Sequence, residues 1–233
     1  MPRELVFLHG FMGHASDWDE VRSQLPEFET RAINIEVATD WHGTVRSLTS
    51  LLTKNSIVVG YSMGARLALG IALEFPEQCA GLIFVSGNPG LESETERAER
   101  EIADEKIADR IAAGQLEPFL QKWYQSSVFA TLPEEIRDQE IERKRGRDAK
   151  HWPEILRVNS VSQQPNYWPR LHELVMPTWV VAGERDEKYK TIANRVGEVA
   201  QIKVDLLPNC GHMVHREKPL ELASLIRDFI KPL

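Results

Sequence analysis

The sequence predicts an α/β fold, a mostly parallel sheet of about six strands with a helical insertion after the strand that ends at Ser86. Three observations lead there. Short apolar runs alternate with helical stretches at close spacing, which requires parallel strands joined by helical crossovers. From Leu91 to about Pro169 the composition turns charged and helix-forming, with few β-branched runs. Ile57-Val58-Val59-Gly60-Tyr61-Ser62-Met63-Gly64 reads as a buried strand running into a sharp turn and the start of a helix.

Taken in order, Met1-Pro2-Arg3-Glu4 runs straight into the apolar run Leu5-Val6-Phe7-Leu8, a buried strand with no signal peptide ahead of it. His9-Gly10-Phe11-Met12-Gly13 follows as a glycine-containing loop. Ser16 is placed to cap a helix whose first turn holds Asp17, Asp19 and Glu20, where negative charge suits the helix dipole, and which ends near Leu25-Pro26. Ala32 to Val37 alternates as a strand, Thr44 to Lys54 is helical, and Ile57 to Val59 is the strand before the turn. Leu67 to Leu73 is apolar nearly all round, as expected of a helix packed on a sheet, and Gly81 to Ser86 is the next strand. The insertion reads as four helices, Glu92 to Ala113, Gln115 to Ser127, Pro133 to Lys150 and Pro153 to Val161. Thr178 to Gly183 and Ile202 to Leu207 return to the sheet, and Leu220 to Ile230 closes the chain as an amphipathic helix. The expected organisation is a core from residues 1–90 and 170–233, with a helical cap over 91–169.

Composition removes several function classes. A net charge of −7 argues against a general nucleic-acid binder, and the basic run Glu142-Arg143-Lys144-Arg145-Gly146-Arg147 is short enough to be a solvated helix face. No apolar stretch is long enough to span a membrane. Cys79 and Cys210 have no CxxC neighbour and read as reduced thiols of a cytosolic protein, and the histidines show no zinc spacing, so no metal or cofactor is expected.

Gly60-x-Ser62-x-Gly64 matches the nucleophile-elbow pattern, in which a serine is thrown off a strand end onto a tight turn. Flanking side chains would clash there, so glycine is required on both sides. A serine hydroxyl is a weak acid and needs a base beside it. In open α/β sheets catalytic groups collect at the carboxyl ends of strands. Gly183-Glu184-Arg185-Asp186 follows one late strand, and Pro208-Asn209-Cys210-Gly211-His212 follows the other. In the chain order Ser62, Asp186, His212, the histidine would take the serine proton and the aspartate would hold the imidazole tautomer. His215 and Glu184 stand close enough in sequence to be exchanged for His212 and Asp186, and the Gly-His pair at a strand end favours His212. The backbone N–H groups of Met63 and Phe11 are the expected oxyanion hole, with His9 supporting the loop. Arg66, on the first turn of the elbow helix, faces the positive end of the dipole at a cost of about 0.3–1 kcal/mol, which an anionic ligand would remove. Snorkelling to solvent or pairing with a cap carboxylate would remove it equally well.

Phe7-Leu8-His9-Gly10-Phe11, Gly60-Tyr61-Ser62-Met63-Gly64, Gly183-x-x-Asp186 and Gly211-His212 together resemble the α/β-hydrolase superfamily. The chain departs from it in lacking two N-terminal antiparallel strands, and in having Ala38-Thr39-Asp40-Trp41-His42-Gly43 where a Pro-Gly-His-Gly loop is common. With Ser86-Gly87-Asn88-Pro89-Gly90-Leu91, Phe119-Leu120-x-x-Trp123-Tyr124, Gln163-Gln164-Pro165 and Gly211-His212-x-x-His215-x-Glu217-x-Pro219, the chain resembles the SHCHC synthase family of menaquinone and phylloquinone biosynthesis. The resemblance spans nearly the whole chain. It implies a lyase that removes pyruvate from SEPHCHC, a cyclohexene carrying succinyl, carboxylate and enolpyruvyl groups, with the triad serving as general base. It further implies that Arg66 binds one substrate carboxylate and that Arg100 and Arg145 are the cap partners, with Arg97, Arg143 or Arg147 as their alternatives. Tyr61, Trp123 and Tyr124 would line the pocket.

Two other readings share these residues. A carboxylester or thioester hydrolase would use the same triad covalently and acylate Ser62, and the arginines of the cap argue against a neutral ester. A non-catalytic binding protein on the same scaffold would have no need of all three triad members.

Overall fold

Continuous runs of Val, Ile, Leu and Phe demand burial on both faces, and strands built from them occupy the middle of a parallel sheet. Here these are β1 (Glu4–Leu8), β3 (Ile57–Tyr61), β4 (Gly81–Val85) and β5 (Thr178–Gly183). The charged strands β2 (Glu29–Ile33) and β6 (Lys203–Leu207) take the edges, in the order β2-β1-β3-β4-β5-β6, and every neighbouring pair is parallel. The structure, a computed structural model, describes residues 4–231. Met1, Pro2 and Arg3, expected to lead directly into the first strand, lie outside the described residues.

The helices are α1 (Asp19–Ser23), α2 (Trp41–Ser50), α3 (Met63–Glu74), α4 (Glu94–Ala112), α5 (Leu116–Tyr124), α6 (Glu134–Arg145), α7 (Trp152–Asn159), α8 (Glu187–Ala200), α9 (Val214–Glu217) and α10 (Pro219–Ile230). Successive strand residues point to opposite faces, so each central strand feeds two cores. Leu5, Phe7, Val59, Ile83 and Val181 pack with α1 and α10, whereas Val6, Leu8, Val58, Leu82 and Val180 pack with α2, α3 and α8. Full burial of each such side chain contributes about 1.5–3 kcal/mol, and this two-sided core holds the strand ends rigid where the site is built. Among the described residues no helix is long and apolar enough to cross a membrane.

The structure shifts several expected elements. β2 covers Glu29–Ile33, not Ala32 to Val37, because its partner, β1, ends at Leu8, opposite Ile33. Ile35 stays buried beyond the strand and gives its N–H to His9. Ser16 caps nothing; His14 caps a 3₁₀ turn over Ala15–Trp18, and the Asp17 carboxylate returns the bond to the His14 N–H at 3.0 Å. α2 begins at Trp41, earlier than expected, because Asp40 accepts the Gly43 N–H at 2.6 Å as its cap. α6 stops at Arg145 and does not reach Lys150, its C-cap being Gly146. α8 and α9 were not expected.

Candidate active site

β3 delivers Ser62 to the top of the sheet with a positive φ of 53° and ψ −109°. For a residue with a side chain this costs of order 1–3 kcal/mol, which the surrounding packing must enforce. The flanking glycines show how. A Cβ on Gly60 would lie 2.3 Å from the Gly64 carbonyl oxygen, and one on Gly64 would lie 2.3 Å from the Leu8 carbonyl oxygen. The elbow is thus pressed against the end of β1, which sets the His9-Gly10-Phe11 loop beside the serine. A Cβ on Gly10 would come within 3.5 Å of Ser62 Cβ. His9 is buried and ties this loop down: its Nε2 accepts the Ile35 N–H at 3.0 Å and its Nδ1–H donates to the Gly10 carbonyl at 2.8 Å. Burial lowers its pKa to about 4, so the ring is neutral, as that pattern requires. Among the described residues neither the Phe11 nor the Met63 N–H donates to another protein group.

Asp186 follows β5 and His212 follows β6, and both are buried. His212 Nδ1–H donates to Asp186 Oδ2 at 2.6 Å, leaving the Nε2 lone pair toward Ser62 Oγ at 3.3 Å. The second distance is at the long end for a hydrogen bond, as is common before substrate binds. Asp186 Oδ1 also caps α8 through the Tyr189 N–H at 3.3 Å. Rings of Tyr189 at 4.4 Å, Tyr61 at 5.3 Å and Phe129 at 5.8 Å surround the imidazole and exclude water from the pair. Neither alternative partner takes part. His215 lies between Tyr61 at 4.2 Å and Trp18 at 5.0 Å, with its pKa lowered to about 3 by burial. Glu184 is exposed and accepts the Asn209 N–H at 3.2 Å.

Among the described residues Arg66 neither snorkels nor pairs with a carboxylate. Its Nη2 donates to the Asn159 carbonyl at 2.6 Å and its Nη1 to Gln164 Oε1 at 3.1 Å, and the guanidinium lies over Trp41 at 5.4 Å. Its pKa is pushed down to about 10, first by burial and then by the charge of Arg100. The Asp104 carboxylate opposes this in part, drawing the Arg66 pKa back up. Arg100 is held by Asp104 at 2.8 Å, and Asp104 is itself bound by Ser160 Oγ at 2.6 Å.

Arg145, expected from the resemblance as a cap partner, pairs with carboxylates of the cap helices. It lies at the surface, paired with Glu117 and with Glu142 at 2.7 Å, because it ends α6 on the solvent side. Arg147, just past the helix end, turns inward to the Met12 carbonyl at 3.1 Å and to Asp17, next to the loop that carries Phe11. Arg97 donates to the carbonyls of Ser162, Gln164 and Leu91, and Arg143 sits 3.8 Å from Glu140. Trp123 packs edge-on against Phe11 at 5.7 Å, beside the expected oxyanion hole. Tyr61 is buried under the two histidines, and Tyr124 is buried against Phe129 at 5.0 Å.

Sequence reasoning missed Trp41, Asn159 and Tyr189. Tyr189 carried a signal, since Asp186 caps a helix with apolar positions at Tyr189, Ile192, Ala193 and Val196. Trp41 and Asn159 carried none, being joined to Arg66 only through the fold.

The profile of the alpha/beta hydrolase family matches residues 5–225. The 2-succinyl-6-hydroxy-2,4-cyclohexadiene-1-carboxylate synthase of Enterobacter sp. (strain 638) is 33% identical over 240 residues, covering 97% of this chain and 91% of that one. The protein of the same name from Escherichia fergusonii is 29% identical over 241 residues, covering 97% and 93%. The solved structure of MenH from S. aureus superposes with a TM-score of 0.92 at 28% identity, covering 99% of this chain and 94% of that one. A carboxylesterase of Nitrososphaera gargenis shares the fold, with a TM-score of 0.79 at 14% identity over 98% of this chain and 90% of the other.

Proposed function

The chain belongs to the alpha/beta hydrolase family and, within it, to the 2-succinyl-6-hydroxy-2,4-cyclohexadiene-1-carboxylate synthases of menaquinone biosynthesis, and we propose that it eliminates pyruvate by using its serine triad as a base relay. The observation that supports this most is the chain of hydrogen bonds from Asp186 through His212 to Ser62, with the cation Arg66 on the first turn of the helix that follows the serine.

The substrate, SEPHCHC, carries its acidic ring hydrogen next to the succinyl ketone. Ser62 Oγ takes that proton as His212 Nε2 takes the serine's own. The electrons of the broken C–H bond flow to the ketone oxygen, and the Phe11 and Met63 N–H groups stabilise the enolate there. Return of these electrons through the ring double bond breaks the carbon–oxygen bond to the enolpyruvyl group. It leaves as the enol of pyruvate after accepting a proton from His212, then tautomerises to pyruvate, and the ring keeps the conjugated diene. No bond to Ser62 forms. Asp186 stabilises the imidazolium produced midway.

Three substrate carboxylates need cationic partners. In this reading Arg66 takes one, with Trp41 beneath it and Gln164 and Asn159 fixing its plane. Arg100 supplies a second charge, and Arg147, in place of Arg145, a third. Residues 91–169 act as a cap over Ser62, and Tyr61 and Trp123 line the cavity, with Tyr124 behind Phe129. The test is pyruvate release from SEPHCHC by the purified protein. Ser62→Ala should lose most of the rate, and an unchanged rate would remove the triad from the reaction.

A further inference from the structure

His212 must meet two partners at once, and its reach is set by the backbone that carries it. Residues 208–213, between β6 and α9, have no strand or helix of their own. Pairing with the sheet ends early, at the Cys210 carbonyl, which accepts the Arg185 N–H at 2.9 Å. The N–H groups on either side of His212 would then be buried without acceptors, a state that costs about 1–3 kcal/mol for each. A single side chain satisfies both. Glu217 Oε2 accepts the Gly211 N–H at 2.8 Å, and Glu217 Oε1 accepts the Met213 N–H at 3.1 Å. The short helix α9 makes this reach possible, because it folds back and bonds the Glu217 N–H to the Met213 carbonyl at 2.8 Å.

The choice of residue is informative. Glu217 is half-buried and forms no ion pair among the described residues. Burial, and to a lesser degree the charge of Asp186, push its carboxyl up, while the two backbone bonds and His212 draw it back. A neutral acceptor would satisfy one N–H with less desolvation. Only a carboxylate, with two equivalent oxygens a fixed distance apart, accepts from both flanks of one residue in a fixed geometry. Its negative charge also faces the ring that becomes an imidazolium during proton transfer.

We propose that Glu217 is the positioning residue of His212, its carboxylate bracketing the histidine's backbone so that the imidazole spans Asp186 and Ser62. This rests on the base-relay reading of the triad. Glu217 touches neither substrate nor reacting atoms.

The test uses the full chain with Glu217→Ala and Glu217→Gln, measured by pyruvate release. A displacement of about 1 Å at a reacting group costs roughly a hundredfold in rate, so kcat should fall about tenfold to a hundredfold in Glu217→Ala. KM should stay within about twofold, because no substrate contact is lost. Glu217→Gln should lie between, since its amide oxygen accepts one N–H while its NH₂ opposes the other. The low-field proton resonance of the His212–Asp186 bond should shift upfield or broaden in both variants, with circular dichroism and melting temperature reporting that they fold. A folded variant with wild-type kcat, a KM rise at unchanged kcat, or a lost kcat with the low-field proton unmoved would each overturn the proposal. So would failure of both variants to fold, which would make Glu217 a residue of the fold alone. Ser62→Ala, run alongside, separates the two ideas. Activity retained there removes the base relay and this proposal with it, whereas an inactive Ser62→Ala beside fully active Glu217 variants removes only the positioning role.

Discussion

Replacing Asp17 by Asn should destabilise the protein by about 3 kcal/mol, because it breaks a buried charge cluster that joins the helical segment to the sheet. The Asp17 carboxylate is 4% exposed and contacts Lys144, itself 3% exposed, at 3.4 Å, together with Arg147. Removing one member of a buried pair costs about 3–5 kcal/mol, since the other charge is left unpaired in a poor solvent. Here the cost falls at the lower end, because Lys144 keeps Glu140 at 3.3 Å and Arg147 keeps the Met12 carbonyl at 3.1 Å. Asn preserves an acceptor for the His14 N–H, so Asp17→Ala should cost about 1 kcal/mol more. In urea, with m of roughly 3 kcal/mol/M, the midpoint should drop by about 1 M. The double variant Asp17→Asn with Lys144→Met should recover most of the loss, because no charge is then stranded. Burial alone would raise the Asp17 carboxyl, but hydrogen bonds from Arg147 and the charges of Lys144 and Arg147 outweigh it and hold it well below the usual range. A depressed folded-state pKa stabilises fully above the unfolded value of about 3.9 and loses that contribution as pH falls toward the folded value. The gap between wild type and Asp17→Asn should therefore shrink below about pH 4. A variant as stable as wild type at pH 7, or a gap that widens in acid, would refute this reasoning.

Arg66→Ala should raise KM or lower kcat for the tricarboxylate about tenfold to a hundredfold, the loss of a charge-assisted contact, while Arg145→Ala should leave both almost unchanged. Steady-state pyruvate release checks the pair, and equal effects would return Arg145 to the site. His9 and His215 are buried and neutral, with pKa values lowered to about 4 and about 3 from 6.5. Unfolding below pH 6.5 lets each take up a proton that the folded state refuses, so stability should fall steadily from there toward pH 4. Urea titrations across that range measure the slope, and a flat profile would contradict the buried neutral rings.

The sheet and elbow were legible because their causes are local. Buried parallel strands read as continuous apolar runs, and the triad residues stand directly after strand ends, so neither needs knowledge of distant contacts. β2 was misplaced because its length is set by where β1 stops, a fact about another segment. α2 starts at Trp41, ahead of Thr44, because Asp40 is its N-cap. The different surroundings of Arg145 and Arg147 have a similar origin. The two are adjacent in composition, but Gly146 ends α6 between them, leaving one on solvent and turning the other to an aspartate 130 residues away. The partners of Arg66 were hidden for the same reason, since Asn159 and Gln164 meet it only after the chain has folded back.

The central claim, that Ser62 removes a ring proton and does not attack a carbonyl, is tested most directly by an isotope measurement under single turnover. Enzyme in excess is mixed with substrate carrying deuterium on the ring carbon beside the ketone, and pyruvate release is compared with the unlabelled compound. Release should be several-fold slower from the labelled substrate, with the mass of the protein unchanged throughout. Equal rates, together with a transient adduct on Ser62, would contradict the base relay and assign the serine to covalent catalysis.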